Sequence, residues 1–277
     1  MNFQDIDWNK WWQEGRRHKS WPSKKDRDWD QRASAFARRD HTDFVGRLLA
    51  IMEPEPTWTV LDIGSGPGTV ALPLARQVKE VTALDFSEKM LAALQQSARR
   101  QGLTNVTTRQ LAWEDDWQQA GLPGHDVALA CRSLNVDDLR AALEKLHRWA
   151  GRKVFIVDRV GAGPFDPDLF AAVGREFVPG PDYIYTYNLL YQMGLYARVE
   201  FITLPCKKDF PSREEAEASC RWMLGTLTAR EEERMQRFLA ERLTPATDGQ
   251  WLLRRRVPPR WAVLWWDKPE GECKPVS

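Results

Sequence analysis

The chain lacks the features of a membrane protein and of a disulfide-bonded secreted protein. It has no apolar run near the roughly 18 residues that a membrane-spanning helix needs, and Met1–Asp5 does not resemble a signal peptide. Its 4 cysteines and 4 histidines are dispersed, and no C-x-x-C pair occurs. Neither a disulfide framework nor a structural zinc site is therefore indicated. We expect a cytoplasmic protein that has no metal centre and no membrane partner.

A large excess of charge of either sign is also missing. The 40 lysines and arginines balance 39 aspartates and glutamates, which leaves a net charge of +1. The dense basic run Arg254–Arg256 has three arginines, too few for a nucleic-acid footprint. We therefore expect a small-molecule substrate rather than nucleic acid as the partner. The composition leaves the oligomeric state open, and 277 residues suffice for one large domain or two small ones.

A glycine-rich turn follows a short apolar run, and together they form the most informative stretch of the chain, Val60–Gly68. Val60–Ile63 has the pattern of a buried strand, and an amphipathic helix is predicted from about Thr69, with Pro73 tolerated only near its start. Glycine allows positive φ and leaves room for a ligand against the backbone. A strand, a glycine turn and a helix N-terminus present free N–H groups, which suit an anionic or polar ligand.

The spacing of these glycines differs from that of a dinucleotide site. Gly64, Gly66 and Gly68 give G-x-G-x-G, whereas a pyrophosphate-binding turn has G-x-G-x-x-G. The next predicted strand ends at Asp85, about twenty residues after the first glycine, where an acid holds the hydroxyls of a ribose. With Asp62 before the turn, these residues resemble motif I (Asp62 to Gly68) and motif II (Asp85) of the class I S-adenosylmethionine (SAM)-dependent methyltransferases.

The resemblance implies a fold. It is an α/β, doubly wound, seven-stranded and mostly parallel sheet with strand order 3-2-1-4-5-7-6, in which strand 7 is antiparallel and helices cover both faces. The alternation of strands and helices in the sequence by itself indicates a parallel sheet with helices on both faces. Beyond the first two, the predicted strands are Asn105–Gln110, His125–Cys131, Lys153–Arg159, Arg198–Leu204, Gln250–Arg255 and Arg260–Asp267.

The resemblance also implies SAM as the cofactor, S-adenosylhomocysteine as the product, and a role for each motif residue. The glycine turn lies along the methionine and ribose portions, Asp62 orients that turn, and Asp85 accepts hydrogen bonds from the ribose hydroxyls. Phe86 and Met90 pack near the adenine. The complete cofactor-binding set implied in this way is Asp62, Gly64, Ser65, Gly66, Gly68, Asp85, Phe86, Met90, Ala112, Trp113, Glu114 and Arg132.

Several positions in this set admit a second interpretation. In the family an acid often follows strand three and contacts the adenine, but Ala112 stands there, so Trp113 and Glu114 are the nearest substitutes. Trp113 either flanks the adenine face or belongs to the core, while Glu114 or a backbone N–H meets the adenine edge. Arg132, after strand four, either lies at the mouth of the site beside the sulfonium, where it can hold an anionic substrate group, or forms a surface ion pair.

Two motifs of nucleic-acid methyltransferases are absent from the region of strand four. The segment Arg132–Asn135 contains no N/D-P-P-Y/F motif, and Cys131 is not preceded by proline. These absences argue against amino methylation of adenine or cytosine and against a cysteine nucleophile for pyrimidine C5 methylation at that place. No catalytic residue is assigned, because the nucleophile belongs to the substrate and the protein mainly aligns the reactants.

The segments outside the resemblance decide the substrate. Residues 1–41 are rich in tryptophan and form a helical cap, which either acts as a lid over a ligand site or simply packs on the methyltransferase domain at 42–277. Helices are predicted within it at Trp8–Arg17 and Arg27–Arg39, and helical cover insertions are expected around 163–197 and 206–249. The candidate walls of the substrate pocket, which alternatively are ordinary core aromatics, are Trp29, Tyr183, Tyr185, Tyr187 and Tyr191.

Three classes of function remain open. The first is a small-molecule methyltransferase that works by in-line displacement, as the cap, the tyrosine-rich insertion and the balanced charge indicate. The second is a methyltransferase acting on RNA or protein, which predicts an open groove with basic walls. The third is a SAM-binding module without catalysis, which predicts binding without turnover. The fold alone does not separate these classes.

Overall fold

Two sheets organise the chain, and a computed structural model describes residues 3–21, 28–31, 33, 41–246 and 249–268. The strands are β1 (Thr59–Ile63), β2 (Glu80–Asp85), β3 (Val106–Gln110), β4 (His125–Cys131), β5 (Ala150–Arg159), β6 (Arg198–Thr203), β7 (Lys207–Phe210), β8 (Leu243–Pro245), β9 (Trp251–Arg254) and β10 (Arg260–Asp267). A large seven-stranded sheet has the order β3-β2-β1-β4-β5-β10-β6, and a small sheet has the order β7-β9-β8.

The large sheet has the predicted order, with its last strand inserted antiparallel. β1 pairs in parallel with β2 on one side and with β4 on the other, whereas β10 lies antiparallel between β5 and β6. The predicted order 3-2-1-4-5-7-6 is therefore confirmed, with β10 in the place of strand 7. From β1 the chain proceeds outward to β2 and β3 and then returns to β4 on the other side of β1, so the strand order changes direction between β1 and β4. In open α/β sheets, ligands bind in the crevice at that point, outside the carboxyl ends of the strands.

Helices cover both faces of this sheet. They are α1 (Trp8–His18), α2 (Thr42–Met52), α3 (Ala71–Ala75), α4 (Glu88–Arg100), α5 (Leu139–Trp149), α6 (Pro167–Val173), α7 (Tyr183–Gln192), α8 (Arg213–Leu224) and α9 (Ala229–Arg242). A 3₁₀ turn precedes α1 at Phe3–Asp5, and residues 28–31 and 33 are helical as well. The helix predicted at Arg27–Arg39 lies mostly outside the described residues.

The helix after the glycine turn is shorter than its apolar pattern predicts. It begins at Ala71 instead of near Thr69 and comprises 5 residues. Pro73 lies inside it and has no N–H to donate to the preceding turn, so only one short helical turn is stabilised. Because the helix is this short, fewer N–H groups after the glycine turn take part in helical hydrogen bonds than the sequence predicts.

The hydrophobic core has two layers, one on each face of the large sheet. Alternating strand residues supply them, since successive side chains of a strand point to opposite faces. Leu61 and Ile63 of β1 join the layer under α5 and α7, whereas Val60 joins the layer under α2 and α4. Asp62 is the one charged residue within the otherwise apolar end of β1, so this buried acid and the polar residues that follow the strand stand out as a site.

The insertion predicted to be helical around 206–249 contains strands as well. β7 and β8 flank α8 and α9, and both pair antiparallel with β9. A third core cluster lies between this small sheet and the helices α6, α8 and α9. The prediction missed these strands because they are short, 4 and 3 residues. β7 in addition depends on pairing with a segment far along the chain, whereas β8 and β9 form a local hairpin.

Two further kinds of feature are not found within the described part of the chain. No helix there has both the length and the apolarity needed to cross a membrane. No group of three or more His, Cys, Asp or Glu side chains there is arranged to hold a metal ion.

Candidate active site

The turn after β1 is a backbone cradle that only glycine permits at its critical position. Gly64, Gly66 and Gly68 all have positive φ, at +68°, +56° and +89°. A Cβ on Gly64 would lie 2.4 Å from the Cβ of Ser133, in the loop after β4, whereas a Cβ on Gly66 would have no atom within 4 Å. The absence of a side chain at Gly64 therefore permits the close contact between the segments that follow β1 and β4. Gly66 faces open space, as a turn that receives a ligand must.

Asp85 ties this turn to the end of β2. Its Oδ2 accepts a hydrogen bond from the Gly66 N–H at 2.8 Å, and its Oδ1 accepts one from the Ser87 N–H at 2.9 Å. The side chain is buried, and burial raises its pKa against the opposing effect of these bonds and with a contribution from the charge of Asp30. The acid predicted to meet the ribose thus stands beside the glycine turn.

Asp62 and Ser65 are two further buried polar residues at the same place. Asp62 is buried, and its pKa is raised to about 7, first by burial and then by the charge of Asp85. The buried hydroxyl of Ser65 has no hydrogen-bond partner among the described residues. Buried polar groups normally have partners. Two neighbouring buried acids and an unsatisfied hydroxyl therefore fit a ligand that carries a positive charge and hydroxyl groups.

The segment after β3 is fixed by its own hydrogen bonds. The Ala112 N–H donates to Asp115 at 2.7 Å, and the Ala112 carbonyl accepts from the Trp117 indole at 2.8 Å. The Trp113 indole N–H donates to the Ser133 carbonyl at 3.0 Å, while its ring lies 5.7 Å from that of Trp117. Trp113 thus packs on the core and also contacts the loop beside the glycine turn, whereas its contact with the adenine face stays a prediction.

The remaining adenine candidates differ in exposure. Met90 is buried and Phe86 is half-buried, both next to the N-terminus of α4, where the Met90 N–H donates to Ser87. Glu114 is exposed. The first two lie close in sequence to Asp85 and retain the predicted position, whereas Glu114 contributes no fixed contact. The adenine contacts stay a prediction.

Arg132 packs against two aromatic rings. Its backbone has positive φ, +58°, and its N–H donates to the Val157 carbonyl at 2.8 Å. Its guanidinium carbon lies 4.5 Å from the ring centre of Phe44 and 5.2 Å from that of Trp261. The two rings, of α2 and β10, thus provide cation–π contacts for the guanidinium, and the side chain lies on the α2 face of the sheet. A position beside the sulfonium stays a prediction.

The tyrosine-rich helix α7 supports the N-terminal segment. The Tyr185 ring lies 6.0 Å from that of Trp8, and the Tyr191 ring lies 5.4 Å from that of Phe3. Tyr191 is 49% exposed. The two other candidates also pack on aromatic or apolar surfaces, since Tyr183 contacts Phe201 and Tyr187 borders the core layer under α5 and α7. A pocket formed by these tyrosines stays a prediction.

The N-terminal segment docks beside the loop after β4. Trp12 of α1 is buried, and its indole N–H donates to the Val136 carbonyl at 2.8 Å. Farther along, Asp30 accepts a hydrogen bond from the Ser87 hydroxyl at 2.6 Å, and Trp29 packs against Trp222 of α8 at 5.6 Å. The segment therefore bridges the end of β2, where Asp85 lies, and the helical insertion.

A cavity of about 820 Å³ opens between α1 and the link from α8 to α9. We call it the basic cavity, because its charged lining residues are mostly cationic. Its charged and aromatic lining residues are Arg16, Arg17, Lys19, Trp21, Asp137 and Arg175.

Two charged residues at the end of β5 were not assigned a role from sequence. Burial raises the pKa of Asp158 to about 6, and its Oδ1 accepts a hydrogen bond from the Arg159 N–H at 2.8 Å. The Arg159 guanidinium carbon lies 4.8 Å from the ring centre of Trp21, at the edge of the basic cavity. The signal was present in the sequence, since an acid and a base directly follow the apolar run Val154–Val157 of this strand. A carboxylate with this pKa is mostly ionised at pH 7 and can accept a proton.

The comparisons with known proteins agree with this geometry. Residues 60–152 match the family model of a methyltransferase domain, the stretch that holds the glycine turn, Asp85 and the loop after β4. An uncharacterized protein of Haemophilus influenzae is 36% identical over 247 residues, which cover 86% of this chain and 88% of that protein. The chain belongs to the class I SAM-dependent methyltransferases. This methyltransferase has the fold of a solved coclaurine N-methyltransferase, with a TM-score of 0.50, 15% identity, and coverage of 96% of this chain and 87% of that one.

Other likenesses are shorter. A 23S rRNA (uracil-C5)-methyltransferase of Xanthomonas campestris is 33% identical over 78 residues, only 25% of this chain and 18% of that enzyme. So short a likeness does not indicate the methyl acceptor of this chain.

Proposed function

We propose that this methyltransferase transfers a methyl group from SAM to a small-molecule acceptor. The observation that carries the proposal is the hydrogen bond between Asp85 and the Gly66 N–H, which joins a ribose-binding acid to a glycine turn at the switch point of the sheet. The buried carboxyl of Asp62 and the Ser65 hydroxyl, which has no partner among the described residues, support the same ligand.

The residues of the site have distinct tasks in this proposal. Asp85 accepts hydrogen bonds from the ribose hydroxyls of SAM, and the Asp62 carboxylate lies near its amino group. A positive charge there restores the ionised form of Asp62, whose pKa is raised to about 7. The Ser65 hydroxyl gains the partner that it lacks. The open face of Gly66 leaves room for the methionine and ribose portions.

The chemistry needs alignment more than it needs a catalytic side chain. SAM supplies an activated methyl carbon and its own leaving group. The protein holds the acceptor atom in line with that carbon and excludes water. The N-terminal segment is placed for this second task as a lid, because Asp30 contacts Ser87 beside the cofactor site and Trp29 contacts Trp222 of the insertion. Cytoplasmic location also stays a proposal, resting on the scattered cysteines.

A small acceptor is supported by the size of the space beside the site. The basic cavity of about 820 Å³ falls in the range of small-molecule pockets, and the net charge of +1 offers no broad field for a polyanion. The likeness to the rRNA enzyme covers only 25% of this chain and 18% of that enzyme. RNA, protein and binding without turnover are the alternatives that the experiment below separates.

Thermal unfolding with SAM, S-adenosylhomocysteine and NAD tests the cofactor. A ligand present at about 100 times its dissociation constant adds roughly 2.7 kcal/mol of stability, so we expect an upward shift with the first two and none with NAD. Formation of S-adenosylhomocysteine is then measured with a pool of small metabolites, with total RNA, and with a protein extract. Turnover only with RNA or protein would overturn the small-molecule proposal. A shift with SAM but no turnover with any pool would indicate a binding module.

A further inference from the structure

The walls of the basic cavity carry an excess of positive charge. Among its lining residues that the structure describes, four are cationic and Asp137 is the one acid. Asp137 lies 3.3 Å from Arg16, but its side chain is 96% exposed, so this ion pair is weak. Arg17 and Lys19 add two further cations to the lining. Burial and the nearby charges of Arg16 and Arg159 lower the pKa of Lys19 to about 8, as expected for crowded cations.

Two of the cationic side chains in the cavity wall, those of Arg175 and Arg16, are held in place by hydrogen bonds to other parts of the chain. The Arg175 guanidinium donates to Glu231 at 2.7 Å and to the carbonyls of Leu224 and Thr226 at 2.7 and 2.8 Å. The Arg16 guanidinium donates to the Asn135 side chain at 2.9 Å. Side chains fixed in this way lose little conformational freedom when they bind an anion.

The aromatic wall of the cavity is rigid too. The Trp21 ring stacks on Phe165 at 3.9 Å, with an angle of 17° between the rings, and the Arg159 guanidinium carbon lies 4.8 Å from the same ring. A flat apolar surface next to fixed cations suits an organic anion with an apolar portion better than it suits a bare inorganic ion.

A single short loop connects the basic cavity to the cofactor turn. Ser133 packs against Gly64, and its hydroxyl donates to the Ile63 carbonyl at 2.5 Å. Two residues later, Asn135 contacts Arg16 in the wall of the cavity. An anion bound by Arg17 and Lys19, at the end of α1, is therefore linked through Arg16 and this loop to the turn along which SAM is proposed to lie.

We infer that the basic cavity binds the anionic group, a carboxylate or a phosphate, of the methyl acceptor. The inference rests on the proposed function and deepens it by naming the chemical class of the acceptor. Arg17 and Lys19 bind the anion, whereas Arg16 and Arg175 shape the wall. A small anion is favoured over RNA, because the cations line a cavity and the chain as a whole has a net charge of only +1.

Isothermal titration with matched probes tests the inference. Benzoate and phenyl phosphate carry the two candidate anions, benzamide is the neutral analogue of benzoate, and inorganic phosphate lacks the apolar part. We expect the protein to bind benzoate or phenyl phosphate at least tenfold more tightly than benzamide. Lys19→Met and Arg17→Gln should each weaken that binding roughly tenfold, the loss of one charge-assisted contact. Arg237→Gln, which removes an exposed cation of α9, should have no effect.

The same titrations with SAM separate this inference from the proposed function. Lys19→Met and Arg17→Gln should bind SAM as the wild type does, because neither lies at the glycine turn; this result also shows that the variants are folded. Anion binding that depends on Lys19 without any SAM binding would leave the anion site standing and overturn the cofactor proposal. Equal affinity for benzoate and benzamide, no binding of any anion, or wild-type anion affinity in both variants would overturn the inference.

A turnover experiment gives a second test. A bacterial metabolite extract is passed over an anion-exchange resin, and S-adenosylhomocysteine formation is measured with the retained and the unretained fractions. The acceptor should be in the retained fraction. Acceptor activity confined to the unretained fraction, or Arg17- and Lys19-dependent binding of a 20-nucleotide RNA that displaces all small anions, would assign the cavity to another class of ligand.

Discussion

The Asp85 carboxylate accepts a hydrogen bond from the backbone N–H of Gly66 at 2.8 Å. The acid at the end of β2 thereby fixes the turn at the end of β1. Its other oxygen accepts from the Ser87 N–H, which places the start of α4. One buried side chain thus sets the spacing of three backbone segments around the proposed ribose position. Bonds to an ionised acceptor are stronger than neutral ones.

Asp85→Asn should weaken the binding of S-adenosylhomocysteine roughly 10- to 100-fold. The amide removes the charge and turns one acceptor into a donor, and a hydrogen bond to a charged group contributes about 1.5–3 kcal/mol. Isothermal titration gives the affinity. Asp209→Asn is the control, since that side chain is 48% exposed in β7 of the small sheet. Wild-type affinity in Asp85→Asn would contradict the ribose assignment.

Gly64→Ala and Gly102→Ala form a matched pair. Both glycines have positive φ, +68° and +67°, but a Cβ at 64 would lie 2.4 Å from Ser133 Cβ, whereas one at 102 would meet nothing within 4 Å. The shared backbone strain costs about 1–2 kcal/mol. Urea unfolding should therefore show a larger loss for Gly64→Ala, and SAM binding should be lost only there. Equal losses in stability would show that the Ser133 contact is unimportant.

Asp62→Asn should change how stability depends on pH. The pKa of Asp62 is raised to about 7 in the folded chain, against about 3.9 for an unfolded carboxyl. The folded state then holds more protons between these values, so wild-type stability falls as the pH rises through that window. Asparagine cannot ionise. The stability of Asp62→Asn relative to wild type should thus grow by roughly 2 kcal/mol between pH 5 and pH 7, at about 1.4 kcal/mol per pKa unit.

Urea denaturation across that pH range measures this difference, and Asp209→Asn again supplies the baseline. The same variant should bind SAM more weakly, because the charge that faces the amino group is gone. A pH-independent difference between Asp62→Asn and wild type would mean that Asp62 is ionised in the folded chain.

Trp12→Phe should loosen the N-terminal segment. Trp12 is 2% exposed, and its indole N–H donates to the Val136 carbonyl, whereas Trp11 is 46% exposed. Loss of that bond leaves a buried carbonyl unsatisfied, which costs about 1–3 kcal/mol. Trp11→Phe should stay within about 0.5 kcal/mol of wild type. Urea unfolding and the rate of proteolysis within the first forty residues report the difference. Similar behaviour of both variants would argue against a docked α1.

The sequence by itself determined the main strands of the large sheet and the glycine turn, whereas the order of the strands was implied by the resemblance to the methyltransferase family. Each depends on short-range information, namely the apolar period of a strand, glycines two residues apart, and an acid about twenty residues beyond the first glycine, all legible in a single chain. Ser65, Gly66 and Asp85 lie together in the structure because they follow adjacent parallel strands.

Only the tertiary structure decided the side-chain partners and the distant pairings. The strands β7 and β8 exist because β9 pairs with both, and Arg132 lies against Phe44 and Trp261 because its backbone turns the side chain toward α2. The basic cavity joins Lys19 to Arg175, which are far apart in sequence. Such contacts follow from how helices dock on the sheet. No local periodicity encodes them, since a charged residue on a helix surface has the same pattern whether it faces water or a cavity.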